Sequence, residues 1–272
     1  MPFKTDFSKF LGYNSFAAAA NAVFLNERRS PKSSNFILIM TKISERIARI
    51  NQIIRQEEAN SHRPPGCVSL LAVSKGQSIE KIKKAYRSGL KEFAENYLQE
   101  AEKKIAALQE LSIHWHFIGS VQSNKTRAIA SKFSWIHSID RYRIAELLNQ
   151  HRPDDHPPLN VCLQINLTGE TSKSGIAKEQ SFELLQKLRT LPRIKCRGLM
   201  TILHTSATEQ EQYLLFTELK KLLQKLNHHL QLKLDTLSMG MSNDYISAIH
   251  AGSTIIRLGQ AIFGEREKRS QQ

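Results

Sequence analysis

The sequence predicts an α/β protein built as a single (β/α)8 barrel of the TIM type with one leading helix. Three observations carry that prediction. Eight short apolar runs alternate with seven helical segments between Val68 and Leu258, which is the pattern of a parallel barrel. The runs are continuous, as in strands covered on both faces. Small and polar residues gather just past their ends, where barrels place their ligands. A doubly wound open sheet shares the alternation, because strand number alone does not prove closure.

The first 39 residues stand apart. They hold Ala17 to Ala20 in a row, scattered phenylalanines (Phe3, Phe7, Phe10, Phe16, Phe24), a Ser-Pro-Lys-Ser-Ser stretch from Ser30, and only Asp6 and Glu27 as acids. The ordered charged region, apolar core and cleavage site of a secretory signal are not arranged there. Residues 1–39 read as an extension upstream of a start at Met40, disordered or loosely docked. Residues 40–272 read as the barrel domain.

Thr41 is a candidate N-cap for the leading helix, whose buried face is marked by Ile43, Ile47, Ile50 and Ile54 and whose end is set by Pro64-Pro65-Gly66. Strands are expected at Val68–Val73, Lys91–Ala94, His114–Ile118, Trp135–Ile139, Asn160–Asn166, Lys195–Thr201, Lys233–Leu237 and Thr254–Leu258. Helices are expected between them at Ser78–Ser88, Tyr97–Leu108, Asn124–Ser131, Arg141–Asn149, Lys178–Arg189, Thr208–Leu230 and Asn243–His250.

Of 272 residues, 40% are apolar and 24% charged, a balance that builds a sizeable core. No apolar run is long enough for a transmembrane helix. Cys67, Cys162 and Cys196 lie far apart without C-x-x-C spacing, which argues against a disulfide framework or zinc site and suits a cytoplasmic, reducing setting. The net charge of +14 raises nucleic-acid binding. The bases are dispersed beside acids, however, as in Glu80-Lys81-Ile82-Lys83-Lys84 and Glu102-Lys103-Lys104, which reads as solvated helix surface. A pocket for a phosphorylated small molecule accounts for the charge equally well. His114 and His116 share one strand face, but no acid or third histidine beside them in the sequence completes a metal set, so they read as strand packing. His228-His229 reads as solvated.

The central stretch is Leu70-Leu71-Ala72-Val73-Ser74-Lys75, broken by Gly76. It places Lys75 at the carboxyl end of the first strand. Most lysines there are simply solvated. The alternative is an imine-forming lysine: at a pKa of roughly 10.4 only about one lysine in 2,500 is neutral at pH 7, so a nucleophilic amine gains from a partly desolvated strand end. Further along, Glu95-Asn96-Tyr97 follows the second strand and Gly119 to Lys125 the third. Ser238-Met239-Gly240-Met241-Ser242 leads from the seventh strand into a helix, and small residues there let backbone N–H groups approach an anion. Arg257-Leu258-Gly259-Gln260 adds a cation and a second close-approach glycine. Loops after adjacent late strands form one phosphate pocket in many barrels.

At these positions the sequence resembles the pyridoxal-phosphate homeostasis family. The matching stretches are Leu71 to Lys75, Glu95 to Tyr97, Trp115 to Gly119, Gln122 to Lys125, Ser172 to Gly175, Arg197 to Met200, Leu237 to Ser242 and Ile262 to Gly264. They run in order from about Met40 to Glu265. The resemblance implies an alanine-racemase-like barrel, fold type III among enzymes that use pyridoxal 5'-phosphate (PLP). It implies PLP held as a Schiff base on Lys75 with Asn96 beside it. Ser242, the backbone of Ser238, Met239 and Gly240, and Gly259 with Gln260 would hold the phosphate, and Arg257 would face the pyridine nitrogen.

An arginine only donates hydrogen bonds and does not take up a proton, so opposite the pyridine nitrogen it makes PLP a weak electron sink. Alanine racemases also draw a second base, a tyrosine, from an added C-terminal domain, whereas this chain ends eight residues after Gly264. The expectation is therefore a carrier that buffers, delivers or senses PLP, with PLP-dependent apo-enzymes as candidate recipients and no membrane or nucleic-acid partner; the resemblance implies a monomer. An amino-acid racemase and a nucleic-acid binder are the alternatives. Four departures from the family pattern stand out: Ala94 for a glycine, Gly76-Gln77 for Thr-Lys, Leu203-His204 near a usual proline, and Gln260 for a threonine.

Overall fold

The computed structural model describes residues 31–168, 174–204 and 206–265, with residues 31–41 as backbone only. The expected extension, for residues 1–30, lies outside the described residues, as do Ser172 and Lys173 of the matching stretches. The first described element is α1 (Pro31–Asn60), so Thr41 sits inside a helix that starts further upstream, and the expected cap at Thr41 is not formed. Ile43, Ile47, Ile50 and Ile54 form the predicted stripe and are buried. Each fully buried side chain of this kind contributes about 1.5–3 kcal/mol.

Eight parallel strands then close into a barrel in sequence order. They are β1 (Ser69–Val73), β2 (Glu92–Glu95), β3 (His114–Phe117), β4 (Trp135–Ile139), β5 (Leu159–Gln164), β6 (Ile194–Met200), β7 (Thr236–Ser238) and β8 (Ile255–Leu258). Closure is made by β1 against β8, with Leu71 opposite Arg257. The crossovers are α2 (Ile79–Arg87), α3 (Leu98–Ala107), α4 (Thr126–Lys132), α5 (Tyr142–His151), α6 (Ser181–Leu188), α7 (Glu209–Leu230) and α8 (Tyr245–Ala251). A short α9 (Gln260–Phe263) follows β8, a turn of helix the sequence did not announce.

Two strand boundaries have clear local causes. The expected strand at Lys233–Leu237 begins only at Thr236. Asn227, near the end of α7, accepts from the Leu234 N–H at 2.8 Å and donates to the Leu234 carbonyl at 2.9 Å. That backbone is therefore satisfied without a ladder. Between β1 and α1, the buried Glu58 carboxylate accepts from the Gly66 and Val68 N–H groups at 3.0 and 2.8 Å, fixing the turn after Pro64-Pro65.

Outward-facing strand residues such as Ala72, Phe93, Phe117, Val161, Leu199 and Ile256 pack with the helices in the main core. A second, small cluster of Leu71, Ala94 and Ile255, with Val73 and Ile118 against it, lies inside the barrel. The charged helix runs are not all solvated: Lys84 and Lys104 are buried. Among the described residues no helix is long and apolar enough to cross a membrane.

Candidate functional site

Lys75 lies two residues past the end of β1, and the backbone on both sides of it is held by α3 and the end of β2. Ser74 donates its N–H to the Ala94 carbonyl at 2.9 Å and its hydroxyl to Glu95 Oε1 at 2.6 Å. Lys104 Nζ reaches the Ser74 carbonyl at 2.6 Å, Glu95 Oε1 at 2.7 Å and Glu100 Oε1 at 2.6 Å. The same Glu100 oxygen accepts from the Gly76 N–H at 2.6 Å. One buried ammonium thus ties the residue before Lys75 to the carboxylate that binds the residue after it. Burial raises the Glu95 carboxyl above its ordinary range, and the neighbouring Lys104 charge and Ser74 hydroxyl only partly offset this.

A cavity of about 250 Å³ opens at the carboxyl ends of the strands. Its polar lining is Lys75, Gln77, Asn96, Ser242, Arg257, Gly259 and Gln260, and its apolar lining is Val73, Ile118, Met200, Ile202 and Met241. That is a small pocket beside the roughly 300–1,000 Å³ usual for drug-sized ligands. Asn96 Oδ1 is buried there with no hydrogen-bond partner among the described residues. A buried acceptor left unmade costs about 1–3 kcal/mol, so the site suits a ligand that donates to it.

Arg257 is nearly enclosed. Burial lowers its guanidinium to about 10, opposed by the Asp244 charge, so it remains a cation at neutral pH. Two of its N–H groups are spent inside the barrel, on Ser238 Oγ at 2.8 Å and the Thr201 carbonyl at 2.9 Å. Across the β7–α8 loop, Asp244 accepts from the Met241 N–H at 2.5 Å, which shapes the segment that presents Ser242.

Of the nine residues singled out from sequence, the structure brings Lys75, Asn96, Ser242, Arg257, Gly259 and Gln260 to this cavity. Ser238, Met239 and Gly240, singled out for their backbone, are not part of its lining. Ser238 is fully buried, its hydroxyl committed to Arg257 and His137. Met239 is in the core and its N–H bonds the Ile255 carbonyl. Gly240 lies against α8, where a Cβ would come within 2.7 Å of the Ala248 Cβ. Met241 takes their place in the lining.

Of the departures noted above, Gln77 and Gln260 line the pocket. Ala94 is in the inner cluster. Gln77 lines the cavity and accepts from Lys81 Nζ at 3.2 Å, while His204 bonds the Ser206 hydroxyl. The reading of His114 and His116 needs one correction, because both do have an acid beside them. Glu92 bonds His114 Nδ1 and His116 Nε2, each at 2.7 Å, and His137 adds a third imidazole 2.9 Å from His116. Among the described residues no group of three converges on a metal position.

Missed from sequence were Lys104, Glu100, His137 and the apolar wall of Met200 and Ile202. The Glu100–Lys104 spacing of four was a visible helical pairing, but nothing in it marked the pair as buried.

Fold and site define a lysine-bearing parallel barrel of the alanine racemase N-terminal-domain class. The family model described as "Alanine racemase, N-terminal domain" matches residues 49–267. Alanine racemase from Corynebacterium glutamicum shares the fold at a TM-score of 0.61 and 16% identity, over 86% of this chain and 64% of that one. A pyridoxal phosphate homeostasis protein of Pseudomonas aeruginosa is 48% identical over 228 residues, 84% of this chain and 97% of the relative. Another, from Escherichia coli, is 42% identical over 231 residues, 84% of this chain and 98% of the relative. PipY of Synechococcus elongatus, in a structure solved with PLP bound, aligns at a TM-score of 0.72 with 35% identity, over 82% of this chain and all of PipY. The chain belongs to the pyridoxal phosphate homeostasis protein family.

Proposed function

We propose that this protein binds PLP covalently through the Lys75 amine and buffers, delivers or senses it in vitamin B6 and amino-acid balance. The observation that carries this is that Lys75, just past the end of β1, and the buried cation Arg257, on the adjacent strand β8, line one small cavity. The residues present fit the cofactor. Arg257 offers a permanent donor to a ring nitrogen, Asn96 Oδ1 an unmet acceptor, and Val73, Ile118, Met200 and Ile202 an apolar wall for a flat ring. Ser242 and the Gly259–Gln260 turn are proposed to hold the phosphate. When bound, PLP supplies an aldehyde for the Lys75 amine and, in enzymes, an electron sink.

We read the protein as a carrier without turnover. Of the cavity-lining residues only Lys75 and Arg257 are ionisable. Arginine does not exchange protons at ordinary pH, so a two-base racemisation has no second base among them. A cytoplasmic monomer is proposed with it, and three free cysteines support the reducing setting.

The test is the near-ultraviolet and visible absorbance of the purified protein before and after borohydride, beside Lys75→Ala. A band lost on reduction, with a PLP-sized adduct mapped to Lys75, is expected. No band and no adduct after adding PLP would overturn the reading. Steady loss of optical activity from a free amino acid would replace the carrier with a racemase.

A further inference from the structure

Four hydrogen bonds run end to end through the barrel interior. Glu92 Oε2 lies 2.7 Å from His116 Nε2, and His116 Nδ1 lies 2.9 Å from His137 Nε2. His137 Nδ1 is 2.7 Å from Ser238 Oγ, and Arg257 Nη1 donates to that same oxygen at 2.8 Å. The five residues come from β2, β3, β4, β7 and β8. Glu92, the first residue of β2, is about a third exposed (34%), whereas His116, His137, Ser238 and Arg257 are buried.

Donor and acceptor chemistry leaves one arrangement of hydrogens for neutral rings. A carboxylate only accepts, so His116 carries its hydrogen on Nε2. Its Nδ1 then accepts, and His137 must donate from Nε2. His137 Nδ1 accepts in turn, so the Ser238 hydroxyl donates to it. Ser238 Oγ is left as the acceptor for the guanidinium, which only donates. Every hydrogen points from Arg257 toward Glu92. The surroundings favour neutral rings. Burial lowers His116 despite the adjacent Glu92, and burial together with the charges of His116 and Arg257 puts His137 well below its ordinary value.

We propose that His116 and His137 are positioning residues: with Glu92 they form a one-directional chain that fixes the Ser238 hydroxyl and holds the Arg257 guanidinium at the cavity. Its purpose rests on the cofactor reading above, in which Arg257 must present a donor to the ring. The chain itself belongs to the protein alone. It also explains why Ser238, at a strand end beside the cavity, faces inward: its oxygen is the joint between the imidazoles and the guanidinium.

The experiment is 15N spectroscopy of the histidine rings and the Arg257 side chain at pH 7, on the full chain without cofactor. Wild type is compared with Glu92→Gln, Ser238→Ala and His137→Phe. In wild type both rings are expected to be neutral with the hydrogen on Nε2, and Arg257 to give one slowly exchanging Nε–H signal. An amide at position 92 either donates or accepts, so Glu92→Gln is expected to give mixed tautomers at both rings. Ser238→Ala, the smaller change, is expected to broaden or lose the Arg257 signal even if His137→Phe fails to fold. PLP uptake should weaken roughly 10- to 100-fold in these variants, by analogy with the groups that orient metal-binding side chains. A hydrogen on Nδ1 or a charged ring in wild type would overturn the proposal, as would an unchanged Arg257 signal in folded Ser238→Ala. Wild type that takes up no PLP would sink the cofactor reading, while the ring and arginine signals still decide the chain.

Discussion

Replacing Lys104 by methionine tests whether the tie around Lys75 is ionic. The substitution keeps the length and apolar stem of the side chain and removes its charge. Glu95 is then left fully buried, with Oε2 already without a partner and Oε1 retaining only the Ser74 hydroxyl among its side-chain partners. Breaking a buried ion pair from one side costs about 3–5 kcal/mol, because the remaining charge stays desolvated. At 1.36 kcal/mol per tenfold, that is between two and four decades in the folding equilibrium.

The sign with pH follows from Glu95. Its carboxyl is raised above 4.5 by burial even with Lys104 beside it. A raised carboxyl binds its proton in the folded state where the unfolded chain has released it. It therefore costs stability as pH climbs from about 4.5 through the folded value. Removing Lys104 takes away the largest opposing influence and extends that window upward. Urea unfolding followed by circular dichroism should show Lys104→Met far weaker than wild type near pH 8 and closer to it near pH 5. Adding Glu95→Gln to Lys104→Met should recover much of the loss at pH 8. A loss that is equal at both pH values and unrelieved by Glu95→Gln would refute the ionic account and leave only packing.

Two further substitutions probe the frame of the site. Gly119→Ala would put a Cβ 2.0 Å from the Asn96 carbonyl oxygen, inside backbone that has no flexible end to yield. Separation of the β2 and β3 ends is expected, with PLP retention falling at least tenfold and a lower melting temperature; unchanged retention would mean the Asn96 segment is not part of the site. Glu58→Gln weakens the acceptor of the Gly66 and Val68 N–H groups and should cost about 1–3 kcal/mol near neutral pH. Burial works to raise Glu58, but those two N–H groups and Arg55 outweigh it and hold the carboxyl low, so the deficit should shrink as pH falls through and below 4.5 in urea melts.

The barrel was legible because parallel strands sheathed by helices read as plain apolar runs, and Trp135–Ile139 even keeps its boundaries. Lys75, Gly259 and Gln260 were legible for a related reason: once a strand end is located, the residue after it is at the mouth. Position along one strand, however, does not say what lies across the barrel. His137 and Ser238 are about a hundred residues apart and meet only through register, so no spacing announces the pair. Ser238 is expected beside the phosphate through its backbone, and nothing in its place along β7 shows that its hydroxyl turns to the interior. Lys104 was hidden differently, since its helix has charges on several faces and only the docked orientation selects the buried one.

Lys75, just past β1, and Arg257, on β8, belong to the two strands whose pairing closes the ring, about 180 residues apart in the chain. Neither half of the pocket exists until the last strand has found the first. During synthesis the lysine emerges long before its counterpart, so an early chain offers aldehydes an ordinary surface amine and no selectivity. Cofactor capture then marks the end of folding, and an added ligand stabilises only closed molecules, by mass action. Pairing of strands so far apart in sequence is intrinsically slow. On the cofactor reading proposed above, a supply of PLP would act as a selector for finished barrels, coupling the amount of closed protein to the amount of its ligand.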